Sequence, residues 1–315
     1  MTEAEDEAWV LYSKDPSTKI ATITLNRPEA LNAPTIGMRL RYAELLHRAN
    51  VDDDVKVLIV RGEGEDFGTG QDLPEFMEAV NSEDGLLREV GLEGEDVVYP
   101  PKRNFRHGAF TTQAWFTDPR GGCRTLQEFK KISIVEAKGY VYGWHFYQAG
   151  DADLVIASDD ALFGHAAFRY AGAAPRMWWW AQMMGMRKFM EMVFTGRPFT
   201  AAEMAEVGFI NSVVPRDKLE DEVMKYATAC ASNRSNDTIF AQKTFFEIMK
   251  QSQNEYMGSL VSGMLESLTS YSRPDQNEMS TSEAIDKGLT DAVKDFDKRF
   301  PPEWRLSRKG RAASE

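Results

Sequence analysis

Two short glycine-containing turns carry the residues of this sequence that could do chemistry. The first, DFGTGQDLPEF at 66–76, follows an apolar segment at 55–60 and leads into a predicted helix with Pro74 in its first turn. Such a helix directs unpaired backbone N–H groups and the positive end of its dipole at the turn. A phosphate or an oxyanion formed during a reaction fits there, and an ordinary strand-to-helix connection is the structural alternative.

The second turn, GYVYGWHFY at 139–147, follows a predicted strand at 132–137 and precedes a short predicted helix from Trp144 towards Gly150. The chain therefore places two such turns at helix N-termini. The first turn has neither a P-loop lysine nor a complete dinucleotide fingerprint. An oxyanion is therefore as plausible a ligand of this turn as a phosphate.

The surrounding elements predict an α/β fold. Strands are expected at 20–25 and 55–60, with a helix beginning near Thr35 between them. The periodic spacing of apolar residues stops between 81 and 131, which predicts a long inserted loop. After Pro215 the pattern predicts helices. We predict an N-terminal extension (1–18), an α/β domain (19–215) and a helical C-terminal region (216–315), whose apolar faces suggest a subunit interface.

Composition excludes several classes of function. The 315 residues include 43% hydrophobic ones, enough for a sizeable core, and the net charge of −12 argues against nucleic-acid or anionic-membrane partners. Two cysteines and four scattered histidines form no disulfide framework or metal-ligand spacing, so no metal is expected. The acidic N-terminus resembles no signal peptide and no apolar run approaches a membrane span, so a cytoplasmic location is expected.

Seven segments, taken in order, are similar to the landmarks of the enoyl-CoA hydratase/isomerase (crotonase) superfamily. They are ITLNRPEALNA (23–33), FGTGQDL (67–73), GYVYGWHFYQAGDAD (139–153), FG (163–164), GAAP (172–175), FTG (194–196) and AAEMAEVGFINSVVP (201–215). The resemblance implies a spiral of ββα turns, followed by C-terminal helices that assemble the chain into a trimer or a hexamer (a dimer of trimers).

The resemblance also implies the site. The substrate is an acyl-CoA thioester, with coenzyme A present only as part of the substrate and no permanently bound cofactor. Backbone N–H groups of Gln71 and Trp144 form the oxyanion hole that holds the enolate oxygen. Trp144 replaces the usual glycine and should reshape the acyl pocket. The expected substrate and CoA contacts are Arg27, Ala30, Gly70, Asp72, Leu73 and Gly143.

Two departures concern proton transfer. The family's hydratases carry a glutamate at each of two positions that are Tyr147 and Ala167 here, so slow hydration is expected. His165, His145 and Tyr147 are the candidates to replace them, because imidazole has a suitable intrinsic pKa. A packing role is the alternative for each.

Three functions stay open at this stage. The first is hydratase/isomerase-like chemistry, as a lyase or an isomerase, with substituted acid and base groups. The second is hydrolytic, retro-Claisen ring opening of a cyclic β-dicarbonyl or its CoA ester, and the third is a silent acyl-CoA-binding subunit. Outside the proposed acid and base groups, Asp151 is expected to face solvent. Arg176 is expected to form a surface ion pair, and contact with a carboxylate of the substrate is the alternative.

Overall fold

A six-stranded sheet is the framework of the chain in the computed structural model, which describes residues 8–82, 87, 92, 96–98, 124, 126–269 and 287–312. Most of the predicted inserted loop at 81–131 lies outside the described residues. The sheet strands are β1 (Val10–Asp15), β2 (Ile20–Leu25), β3 (Val57–Gly62), β4 (Ile132–Ala137), β6 (Leu154–Ser158) and β9 (Ser212–Val214), in the order β1-β2-β3-β4-β6-β9. Within this sheet β1 and β2 are antiparallel, and the other neighbouring strands are parallel.

A second, three-stranded sheet lies beside the first. It consists of β5 (Tyr140–Tyr142), β7 (Leu162–Gly164) and β8 (Phe199–Thr200). The chain passes from β4 through β5 into a helix, and β6 is likewise followed by β7, which gives the ββα turns. The α/β prediction is confirmed. Because β1 pairs with β2 along its whole length, part of the predicted N-terminal extension belongs to the main sheet.

The α-helices of the described ranges lie on both faces of the main sheet and form the region that follows the last strand. They are α1 (Ile36–Val51), α2 (Leu73–Asn81), α3 (Trp144–Asp151), α4 (Met177–Met184), α5 (Met186–Thr195), α6 (Ala201–Glu206), α7 (Leu219–Asn233), α8 (Asn236–Ser252), α9 (Glu255–Thr269), α10 (Leu289–Asp297) and α11 (Arg308–Ala312). No helix of the described ranges is long and apolar enough to cross a membrane.

Local sequence explains most helix boundaries. The side chain of Thr35 accepts a hydrogen bond from the Met38 N–H and caps α1, as the predicted start near Thr35 requires. One predicted helix over 177–190 is instead two, α4 and α5, because Gly185 between them adopts φ 76°. Apolar residues of α7, among them Val223 and Ala227, pack on Val57 of the main sheet and close one of its faces.

A buried group of ions joins the helical region to the α/β part. Arg176 is fully buried and forms salt bridges with Asp151 at the end of α3 and with Glu255 at the start of α9. Both predictions for this pair were wrong: Asp151 does not face solvent, and the Arg176 ion pair is not on the surface. Burial is possible because opposite charges compensate within the group.

Candidate active site

The two glycine-containing turns meet side by side. Gly68 donates from its N–H to the Tyr140 carbonyl (2.7 Å) and accepts from the Tyr142 N–H (3.0 Å), so the first turn is joined to β5. Gly70 and Gly143 then approach so closely that a Cβ added to Gly143 would lie 3.1 Å from the Gly70 Cα. Both adopt positive φ, 94° and 55°, which side chains other than glycine disfavour.

This approach brings the two predicted oxyanion donors to one cavity. Trp144 is the first residue of α3, where a helix N–H has no intrahelical acceptor. Gln71 immediately precedes Asp72, which caps α2 by accepting from the Glu75 N–H (3.0 Å). Gln71 and Trp144 both line the cavity. Two helix N-termini therefore contribute positive potential at the same place.

The cavity has a volume of about 680 Å³, and its wall is mainly apolar. All six predicted substrate contacts (Arg27, Ala30, Gly70, Asp72, Leu73 and Gly143) line it, together with Gln71, Trp144, Tyr147, His165, Ala167, Tyr170 and Glu266. Arg27 is the only lysine or arginine among the described lining residues, and it pairs with Asp72 at 2.6 Å. Its charge is thus already compensated within the protein.

Tyr147 and His165 form a hydrogen-bonded pair in the cavity wall. The Tyr147 hydroxyl lies 2.9 Å from His165 Nε2, and the Tyr147 ring stacks on Trp180 at 5.1 Å. His165 Nδ1 has no hydrogen-bond partner among the described residues. Burial lowers the pKa of His165 to about 4, which keeps the imidazole neutral at neutral pH. With Ala167 beside them, neither glutamate position of the family holds a carboxylate.

His145 lies elsewhere than the predicted acid/base role requires. It is fully buried and is not part of the cavity wall. Its Nδ1 accepts a hydrogen bond from the Gly70 N–H (3.1 Å), and its ring occupies the space that a Cβ on Gly68 would need. Burial lowers the pKa of His145 to about 3. The side chain supports the first turn from behind, because α3 directs it away from the cavity.

Sequence reasoning missed one carboxylate, Glu266. It extends into the cavity from α9, close to Tyr170. Burial raises the pKa of Glu266 to about 8, and burial together with Glu266 raises that of Tyr170 to about 12. The available signal was a polar pattern in α9, in which glutamates and serines recur at helical spacing among apolar residues.

The sequence model of the enoyl-CoA hydratase/isomerase family matches residues 15–100 and 106–291. The chain belongs to this family. It is similar to the mevalonyl-coenzyme A hydratase SIDH of Beauveria bassiana, with 26% identity over 230 residues that cover 71% of this chain and 74% of the relative. It is also similar to the putative enoyl-CoA hydratase EchA13 of Mycobacterium tuberculosis, with 26% identity over 231 residues that cover 71% and 69% of the two chains.

Solved structures of the family share its fold. A probable enoyl-CoA hydratase from Mycobacterium thermoresistibile superposes with a TM-score of 0.69 and 26% identity, over 84% of this chain and 95% of the other. An enoyl-CoA hydratase from Mycobacterium smegmatis superposes with a TM-score of 0.76 and 24% identity, over 92% of this chain and 93% of the other. The predicted crotonase fold is therefore confirmed, as is membership of a family of enzymes that act on CoA thioesters.

Proposed function

We propose that the protein is an enzyme that forms and reprotonates the enolate of an unsaturated acyl-CoA thioester. The observation that carries the proposal is the approach of Gly70 and Gly143, which places Gln71 and Trp144 on one cavity. Two backbone N–H groups fixed at helix N-termini favour the negative oxygen of an enolate over the neutral thioester carbonyl. A donor of this kind contributes roughly 3–4 kcal/mol in the transition state.

His165, hydrogen-bonded to Tyr147, is the base in this proposal. As a neutral imidazole it accepts the proton from the carbon next to the thioester carbonyl, and the C–H electron pair moves into the enolate. In this proposal the Nε2–H of His165 donates to the Tyr147 oxygen across the 2.9 Å contact, which holds the ring in place and leaves the lone pair of the neutral imidazole on Nδ1. His145 stays outside this step, because it does not reach the cavity, and acts as a positioning residue for the first turn.

An acyl-CoA substrate is supported by the mainly apolar wall and by relatives whose names are those of CoA-thioester hydratases. The indole of Trp144 is buried against the rings of Tyr42 and His145, so the proposal assigns a role to its backbone N–H and not to its side chain. Ring-opening hydrolysis is the second candidate. The observation that favours it is the neutral imidazole of His165 in the cavity wall, because a neutral imidazole can deprotonate a water molecule as well as a carbon acid.

The test separates enolate formation from overall turnover. Acyl-CoA thioesters, including a β,γ-unsaturated hexenoyl-CoA, are incubated with the protein in heavy water, and deuterium uptake next to the carbonyl is followed by mass spectrometry. Conversion to the conjugated isomer is read from its ultraviolet absorbance. A cyclic β-dicarbonyl substrate in the same assay reports ring opening by a mass gain of one water. Binding without deuterium uptake would instead identify a silent acyl-CoA-binding subunit.

Substitutions in the cavity wall test whether His165 is the base that removes the α proton. His165→Ala should lower exchange and turnover by about 10²–10⁴-fold while CoA-thioester affinity is retained. His47→Ala, on the exposed side of α1, is the matched histidine control. A packing histidine would give the opposite result: a lowered melting temperature with turnover per folded molecule unchanged. The exchange and turnover rates of Tyr147→Phe should lie between those of the control and those of His165→Ala, because this change removes only the hydrogen bond to the imidazole.

A further inference from the structure

Helix α9 carries a polar stripe that is buried along its first part and half-buried at its far end. Glu255, Ser259, Ser262 and Glu266 follow one another at intervals of four, three and four residues, which places them on one side of the helix. Glu255 and Ser259 are fully buried and Ser262 nearly so, whereas Met257 and Leu265 on the other side are 59% and 52% exposed. This is the reverse of an ordinary surface helix, so the buried polar groups need a specific reason.

The N-terminal end of the stripe has a structural reason. Burial by itself would raise the pKa of Glu255, but Arg176 and Arg124 lower it to about 2, so this carboxylate is ionised. The helix also lies very close to α4, because a Cβ on Gly258 would overlap the Trp178 ring. These contacts fix the position and rotation of α9 at its first turn.

The other end of the stripe is chemically different. Glu266 lies eleven residues further on, about three turns or roughly 16 Å along the helix, and reaches the cavity that holds His165 and Tyr147. Its surroundings keep the proton on the carboxyl group, whereas those of Glu255 remove it. One helix face therefore carries two glutamates in opposite protonation states, of which only Glu266 can donate a proton at neutral pH.

We propose that Glu266 is a further catalytic residue, the carboxylic acid that protonates the dienolate at the carbon remote from the thioester. The inference rests on the proposed function. His165 first takes the α proton, and the C–H electron pair passes into the dienolate, whose oxygen binds Gln71 and Trp144. The carboxyl proton of Glu266 then bonds to the γ carbon as the electron pair returns to form the conjugated double bond. An imidazolium and a carboxylate remain, and proton exchange with solvent restores both.

The described titratable groups of the cavity wall are compatible with this division. Tyr170 is its neighbour, and burial and Glu266 hold the pKa of that phenol at about 12, so Tyr170 stays neutral. The charges of Arg27 and Asp72 cancel in their salt bridge at the cavity wall. Between about pH 4 and pH 8 His165 is therefore a free base and Glu266 a protonated acid. Groups whose pKa values are pushed apart in this way divide acid and base roles between them.

The experiment uses the full chain, the β,γ-unsaturated hexenoyl-CoA and heavy water. Glu266→Gln keeps the shape of the side chain and removes the transferable proton. Isomerisation should fall by about 10²–10⁴-fold, while α-deuterium exchange continues at a similar rate because His165 is intact. Glu206→Gln, an exposed glutamate at the end of α6, is the matched control and should behave as the wild type.

The two measurements distinguish the possible failures. Unchanged isomerisation in Glu266→Gln would overturn the role of Glu266 while leaving enolate formation standing. Loss of both activities in Glu266→Gln, with an unchanged melting temperature, would also overturn it, because the residue would then act before the α proton is removed. Failure of the wild type to exchange deuterium would instead contradict the proposed function. The wild-type isomerisation rate should further decline above about pH 8, and the residual rate of Glu266→Gln should not.

Discussion

The imidazole of His145 accepts a hydrogen bond from the Gly70 N–H at 3.1 Å, and this contact joins the two turns of the site from behind. His145 follows Trp144, the second proposed oxyanion donor, whereas Gly70 precedes Gln71, the first. A single buried side chain thus links the backbone next to one donor with the backbone next to the other. Its geometry bears on the alignment of the oxyanion hole and not on proton transfer.

His145→Ala is expected to lower kcat up to about 10²-fold with a smaller effect on KM, because small displacements of reacting groups have effects of this size. The Gly70 N–H would also lose its acceptor inside the protein, which costs about 1–3 kcal/mol of stability. His145→Asn restores an acceptor oxygen and should recover part of both losses. Steady-state kinetics and thermal unfolding of the two variants measure this, and an unchanged kcat in His145→Ala would contradict the positioning role.

The contribution of His145 to stability should fall as the pH is lowered from about 6.5 towards 3. The pKa of His145 is about 3 in the folded protein and 6.5 as its ordinary value, so the unfolded state binds a proton in this window and the folded state does not. The expected slope is about 1.4 kcal/mol per pH unit for one proton. Denaturant titrations across the window should show this dependence reduced in His145→Asn.

Glu266 should contribute a pH dependence of stability in the opposite direction, which the same denaturant titrations measure. Its folded pKa, about 8, lies above the ordinary value of 4.5, so the folded state binds the extra proton and stability declines as the pH rises between these values. Glu266→Gln should remove this decline and leave the contribution of His145 in place. Equal pH dependence in the wild type and both variants would contradict the burial of these two groups.

Arg176→Met should destabilise the fold by about 3–5 kcal/mol, because it leaves Asp151 and Glu255 as buried carboxylates without their shared arginine. Arg216→Met is the matched control. Arg216 pairs with Asp160 at the surface, and loss of such a pair costs only about 0–1 kcal/mol. Chemical denaturation compares the two variants, and similar losses in both would show that the buried group contributes little.

Crotonyl-CoA hydration should be slow relative to a family member that has both glutamates, since Tyr147 and Ala167 occupy those positions in the cavity wall. Neither side chain is a carboxylate that can activate water at neutral pH. The measurement is the loss of enoyl-thioester absorbance under matched conditions. Hydration at the rate of an efficient two-glutamate enzyme would mean that the acid and base groups are not at the positions of Tyr147 and Ala167.

We expect the chain to assemble into trimers or hexamers through its C-terminal helices. Large apolar side chains of α8, including Phe245, Phe246 and Ile248, are more than half exposed in the single chain. Phe246→Glu should shift the assembly towards smaller species in light scattering, because it would bury a charge in the contact between copies. Thr228→Glu, exposed on α7, is the control. A wild-type monomer at all concentrations would contradict this expectation.

The sequence by itself determined the features that depend on local backbone chemistry. Glycine at 70 and 143, the helix caps at Thr35 and Asp72, and the apolar strands specify turns, helix starts and parallel pairing within short segments. The order of seven such segments was sufficient for the α/β fold and for the two glycine-containing turns that meet at the cavity. The replacement of both family glutamates was also legible directly in the sequence.

Only the tertiary structure decided which side chains enter the cavity. Trp144 borders the cavity at the start of α3, whereas the side chain of the next residue, His145, lies behind the first turn. The contact between Tyr147 and His165 joins separate ββα turns. Glu266 belongs to a helix whose position depends on distant arginines, and its pKa depends on the burial that this position imposes. Packing between distant segments sets these relationships, and local patterns do not encode them.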